Sequence, residues 1–142
     1  MRHQRTRIPL AYLSLLLLSA CLGLVAGPPA ETAATVPVPR DSVWARARRA
    51  YQAEGLTVDV ADSLQGQLTG LRYPSASAAP GSQATCRVQV ALRLAPAAEG
   101  TQLAWTSRWV APEKLAERHP ALCEEERGAV LTRIQQTIVP TP

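Results

Sequence analysis

Cys86-Arg87-Val88-Gln89-Val90-Ala91-Leu92-Arg93-Leu94 decides how this chain folds. Cys86, Val88, Val90, Leu92 and Leu94 recur at every second position, and Arg87, Gln89 and Arg93 fall between them. A period of two puts one set of side chains on each face of a strand, so one face is buried and the other is wet. Residues 96–100 make a connection, and residues 101–110 repeat the pattern. There Leu103, Trp105 and Trp109 oppose Gln102, Thr106 and Arg108, which predicts an antiparallel hairpin with one apolar face.

Working back from this hairpin, Leu56, Val58 and Val60 alternate with Thr57, Asp59 and Ala61, predicting a half-buried strand. Asp62 and Ser63 read as a turn, and residues 65–73 as the returning strand. Gly66 and Gly70 weaken that strand and signal a bulge or a close approach to a helix. Residues 74–83 read as a loop or an irregular edge crossing. Ahead of these strands, Asp41 or Ser42 can cap a helix carrying Val43, Trp44, Ala47, Ala50 and Tyr51 at helical spacing, and Gly55 stops it. Residues 111–119 form a turn or short helical link. A final helix starts near Pro120 and bears the stripe Cys123, Val130, Leu131, Ile134 and Ile138. Glu124, Glu125 and Glu126 suit the start of that helix, and three adjacent helical residues cannot all face one metal ion.

The expected architecture is therefore α+β: a four-stranded antiparallel sheet with two helices on one face, over residues 41–142. The open face would show Arg87, Gln89, Arg93, Gln102, Thr106 and Arg108. With Arg46 and Arg49 of the first helix, Arg87, Arg93 and Arg108 form a candidate binding surface for a protein or an anionic lipid, although an ordinary solvated face accounts for them equally well.

At the other end, Arg2, Arg5 and Arg7 precede an apolar run that closes on Leu18-Ser19-Ala20-Cys21. This tetrapeptide resembles the lipobox of bacterial lipoproteins. The resemblance implies that residues 1–20 are a cleaved signal peptide. It also implies that Cys21 carries a diacylglycerol thioether and an N-acyl chain such as palmitate, and, with Leu22 following, that the protein is anchored in the outer membrane with its body in the periplasm. Two other readings stay open. The apolar run extends through Gly27, 20 residues from Ile8, enough for an uncleaved single-pass anchor, and simple secretory cleavage is the third. Residues 21–40, rich in Gly, Pro, Ala, Thr and Val with Glu31 the only charge before Arg40, read as a flexible tether.

The chain has 15 basic and 11 acidic residues; loss of Arg2, Arg5 and Arg7 leaves a nearly neutral body, which argues against nucleic-acid binding. With Cys21 lipidated, Cys86 and Cys123 are the two remaining thiols, both on inward faces and in an oxidising compartment, so a disulfide is expected. His119 is the only histidine beyond the signal and belongs to no nucleophile motif. Asp59 and Asp62 are accounted for by the turn, and no metal set or cofactor motif is present. No catalytic residue, metal or cofactor is expected.

The order from Asp41-Ser42-Val43-Trp44 through Gly70, followed by further strands and a long helix, resembles the small helix-grip domains of lipoprotein subunits in the outer-membrane β-barrel assembly machinery. That resemblance implies a non-catalytic accessory subunit docking on an envelope protein. The alternative is a carrier of a small apolar ligand or lipid held between sheet and helix, with Trp105 and Trp109 lining the cavity; a single-pass membrane-anchored periplasmic domain is a further one.

Overall fold

The computed structural model describes residues 23–73 and 86–139. Along the chain these form β1 (Leu24–Ala26), β2 (Ala30–Val36), α1 (Arg40–Ala53), β3 (Leu56–Asp62), β4 (Gln67–Arg72), β5 (Arg87–Ala97), β6 (Gly100–Pro112), α2 (Glu113–Arg118) and α3 (Pro120–Ile138). All strands join one antiparallel sheet in the order β1-β6-β5-β4-β3, and β2 also pairs with β6.

The β5–β6 hairpin is where the period-two pattern predicts it. Thr101, Leu103, Trp105, Ser107, Trp109 and Ala111 of β6 are all buried, and from Leu103 to Trp109 each lies opposite a buried residue of β5, as in Val88↔Trp109, Leu92↔Trp105 and Leu94↔Leu103. The core gathers Val88, Val90, Leu92, Leu94, Leu103 and Trp105 from these strands with Val43, Ala47 and Tyr51 of α1 and Val130, Leu131, Ile134 and Ile138 of α3. The helical stripes read from spacing are thus the ones buried. Arg133 joins the two helices by donating from Nε to both carboxylate oxygens of Glu54 at 2.9 Å.

Six strands replace the expected four, and three helices the expected two. The two extra strands come from the segment expected to be a tether. β1 pairs with Val110, Ala111 and Pro112, and β2 runs along β6 from Ala30↔Ser107 to Val36↔Thr101. The prolines of this segment flank its strands rather than interrupt them: Pro28 and Pro29 separate β1 from β2, and Pro37 and Pro39 follow β2, where a missing N–H costs no ladder bond. Thr32, Thr35 and Val36 are β-branched, and the burial of Val36 completes the inner face. Gly27 brings its backbone under the Trp109 indole, and an added Cβ would collide with that ring. The third helix, α2, is the helical link between β6 and α3.

β3 also departs from its predicted alternation. A bulge between Val58 and Val60 leaves Val58 opposite Gly70 on the inner side and Val60 opposite Thr69 on the outer side. Both valines are exposed, and only Leu56 is buried in this strand. The turn to β4 is the expected one, with Asp62 Oδ1 accepting from the backbone N–H of Leu64 and Gln65 at 3.0 and 2.9 Å. Arg40 closes it from α1, donating to the carbonyls of Ser63 and Leu64. Neither Asp41 nor Ser42 caps α1, which begins one residue earlier behind Pro39 without a side-chain cap.

Gly70 does bring the sheet close to a helix. Its missing Cβ would stand 3.0 Å from Tyr51 Cδ2 and 3.1 Å from Leu56 Cβ. Tyr51 is fully buried above it, and its hydroxyl donates toward the carbonyls of Val90 at 3.1 Å and Leu68 at 3.3 Å. Burial, reinforced by the charge of Asp59, pushes the phenol well above its usual range.

These contacts can be tested by truncation and by substitution. A chain starting at residue 41 lacks β1 and β2 and exposes one edge of β6, so it should lose about 3 kcal/mol or more in urea unfolding relative to the full chain, Val36 alone accounting for about 2 kcal/mol. Equal midpoints for the two chains would show that β1 and β2 add nothing. Gly70→Ala pushes on a ring that hydrogen bonds hold in place, and should cost about 1–3 kcal/mol. Because the folded-state pKa of Tyr51 is raised, its contribution is complete below the unfolded value of about 10 and is lost as pH climbs above that. Tyr51→Phe should therefore be less stable than the parent at pH 7 and show a shallower alkaline decline in thermal unfolding.

Candidate functional site

The outward residues of four strands build a groove of about 540 Å³ on the face opposite the helices. Two register rows define it. One runs Glu31 (β2), Thr106 (β6), Ala91 (β5), Thr69 (β4); the next runs Ala33, Ala104, Arg93, Gln67 across the same strands. Ala33, Ala91 and Ala104 are the small residues of this face, and their short side chains leave the depression that larger neighbours border. Glu31, Gln67, Thr69, Arg93 and Thr106 supply one carboxylate, one amide, two hydroxyls and one guanidinium. Leu92 and Trp105 also line the groove, although their side chains are buried on the inner side.

Of the arginines expected to share one binding surface, only Arg93 lines this groove. Arg108 is on the same face further along β6 and donates from Nε to Gln89 Oε1 at 2.6 Å. Arg87 stacks its guanidinium over the Tyr73 ring, 5.3 Å from the centroid. Arg46 and Arg49 belong to α1, which covers the inner face of the sheet, so they are separated from the groove by the sheet itself. Sequence reasoning placed Thr106 on the open face but missed Glu31, Ala33, Gln67 and Thr69. Glu31 and Ala33 sat in the supposed tether, and alanines give no signal until the register aligns them.

Cys86 and Cys123 form the expected disulfide, with Cα atoms 5.4 Å apart. It lies in a small second core with Trp109 and Ala111, partly covered by Leu115 and Ala116 of α2. For a 37-residue separation the loop-entropy model assigns the bond about 4 kcal/mol. Beside it, Arg127 of α3 donates to Glu124 Oε1 from both Nε and Nη2 and to the buried Ser107 Oγ from Nη1 at 2.7 Å. The hydrogen bonds from Arg127 hold the Glu124 carboxyl below its usual range against the opposing effect of burial, helped by the Arg127 charge and a hydrogen bond from Trp109. This set ties α3 to β6 and leaves no free nucleophile.

The alternative of a carrier is better supported than the accessory subunit, but the place it gave the ligand, beside Trp105 and Trp109, is filled by protein. Trp105 is 1% exposed and packs in the main core, and Trp109 is 6% exposed beside the disulfide. The two tryptophans are core residues on the inner side of β6, behind the groove. The Trp105 Nε1 hydrogen has no partner among the described residues. No group of three or more His, Cys, Asp or Glu among the described residues is placed to hold a metal ion.

No family model and no curated protein matches the sequence. Among solved structures the fold is similar to that of Ara h 8.0201, with a TM-score of 0.51 at 12% identity over 84% of this chain and all of that one. A protein from Thermus thermophilus, TTHA0849, aligns with a TM-score of 0.43 at 12% identity, covering 79% of this chain and 97% of that one. Truncated norcoclaurine synthase from Thalictrum flavum aligns at 0.40 and 7% identity, over 85% and 98% respectively. The likeness to Ara h 8.0201 shows the fold, a helix grip of six antiparallel strands around a long C-terminal helix.

These findings correct the expected outer-membrane lipoprotein of the barrel-assembly type. The body matches Ara h 8.0201 instead, and the accessory-subunit function, the membrane and envelope partners, and the lipid-anchored outer-membrane location with a periplasmic body are set aside with that resemblance. The supposed tether is sheet. At the end of the 20-residue apolar run, Leu24, Val25 and Ala26 are a strand paired to β6, and no described helix is long and apolar enough to cross a membrane. The Leu18 to Cys21 motif and its lipidation lie outside the described residues. What the chain presents is a helix-grip fold whose inner face is packed and whose outer face carries a groove of ligand size.

Proposed function

We propose that this chain is a non-catalytic binding protein for a small molecule that presents an apolar surface and polar substituents, seated in the groove on the outer face of the sheet. The observation that carries the reading is the groove itself. Its volume of about 540 Å³ falls within the range of about 300–1,000 Å³ typical of small-molecule sites. Its alanines offer a flat apolar patch to a ring or short chain, and the hydroxyls and amide around them can orient a polar substituent. The lining holds no histidine, cysteine or lysine, so the groove is suited to holding a molecule rather than transforming it.

The test uses amide chemical shifts of the isotopically labelled full chain titrated with indole as a neutral flat probe. Shifts should concentrate at Ala33, Thr69, Ala91, Ala104 and Thr106. Ala91→Phe fills the floor from the solvent side of β5, so it should weaken indole binding about tenfold or more and leave the thermal midpoint within a few degrees of the parent. Undisturbed groove amides at saturating indole, or shifts confined to residues around Trp105 and Ile134, would refute the groove.

A further inference from the structure

Two opposite charges stand apart in the groove. Glu31 lies on β2 in the first register row and Arg93 on β5 in the second, so the two are separated by one intervening strand and offset by two residues. With strands about 4.8 Å apart and a rise of about 3.3 Å per residue, their Cα atoms lie about 12 Å apart diagonally across the floor. Both side chains are exposed, and neither takes part in the ion pairs formed among the described residues, which join Arg72 to Glu126, Arg127 to Glu124 and Arg133 to Glu54. The nearest other carboxylate on the Arg93 row is Asp62, beyond Gln67, and its Oδ1 accepts the two backbone bonds of its own turn. Between the two charged residues stand the Thr106 hydroxyl and the methyl groups of Ala91 and Ala104, and Thr69 lies one strand beyond Arg93.

From this arrangement we infer that the groove is selective for a dipeptide-sized zwitterion, its ammonium group at Glu31 and its carboxylate at Arg93. The inference rests on the groove being the binding site. An extended two-residue peptide spans about 7 Å, leaving about 5 Å for the combined reach of the glutamate and arginine side chains. The guanidinium fork matches a carboxylate with two parallel hydrogen bonds, and the Glu31 carboxylate accepts from an ammonium. The central amide of such a ligand then lies over the alanine floor within reach of the Thr106 hydroxyl, and an apolar side chain rests on the alanine methyls.

The experiment titrates the labelled full chain with alanyl-phenylalanine, its N-acetyl form, its C-terminal amide and indole, for the parent, Glu31→Gln and Arg93→Gln. In the parent the free dipeptide should bind about five- to tenfold more tightly than either blocked form, the size expected for a charged contact in a solvent-accessible groove. Glu31→Gln should erase the preference over the N-acetyl form alone, and Arg93→Gln the preference over the amide alone. Raising salt should narrow both differences. If indole shifts the groove amides while the free and blocked peptides bind alike, the charge assignment is wrong and the groove survives. If neither indole nor any peptide shifts them, both fail together.

Discussion

Tyr51 standing on Gly70 is the contact around which the rest of the molecule is arranged. The glycine lets α1 settle close enough for the phenol to reach the carbonyls of Leu68 and Val90, in the middle of the sheet's inner face. A buried hydroxyl must find acceptors, so this depth of insertion also fixes the helix laterally. Once Tyr51 is there, Val43, Ala47 and Ala50 of α1 meet Ile134 and Ile138 of α3 in one continuous core. A helix-grip fold has two faces on which a ligand could lie. Here the inner one is filled by the protein's own aromatic side chain, and the outer one holds the groove.

Much of this was legible in sequence wherever a single element carries its own period. The hairpin of β5 and β6, the stripe on α3, the Asp62 turn and the inward facing of Cys86 and Cys123 needed only local spacing. The pieces that were not legible depend on partners distant in the chain. β2 has weak strand chemistry of its own, Ala-rich and bracketed by prolines, and becomes a strand because β6 offers it a free edge. Val60 faces the outer side because of a bulge, and no alternation rule anticipates a bulge. The groove is harder still: Ala33, Ala91 and Ala104 are ordinary small residues, and they matter only because three strands bring them side by side. A short motif at the other end of the chain drew the functional reading toward the membrane, while residues 24–36, which complete the sheet, looked featureless.

The arginines illustrate the same point in electrostatic terms. Counted along the sequence, Arg46, Arg49, Arg87, Arg93 and Arg108 suggested one basic surface. In the fold they are dispersed over two sides of the sheet, Arg108 is engaged by an amide, and Arg87 by an aromatic ring. Arg127, which attracted no attention in the sequence, is set deep, with its side chain only 11% exposed and a proton on the buried Ser107 hydroxyl. Burial of a guanidinium requires such partners, so its role is to lock α3 to the sheet.

β6 has β5 on one edge and both β1 and β2 on the other, and this has a kinetic consequence. The hairpin closes over a two-residue turn and can form early, but Leu24 must find Pro112 across almost the whole described chain. Loop closure over such a distance is slow because its entropy is lost before any contact offsets it. During synthesis the first strands leave the ribosome long before their partner exists, and they wait unpaired until residue 112 has emerged. Their composition suits that interval: alanine, threonine and bracketing prolines make a poor template for aggregation, so the very blandness that hid these strands from sequence analysis protects the chain until β6 arrives.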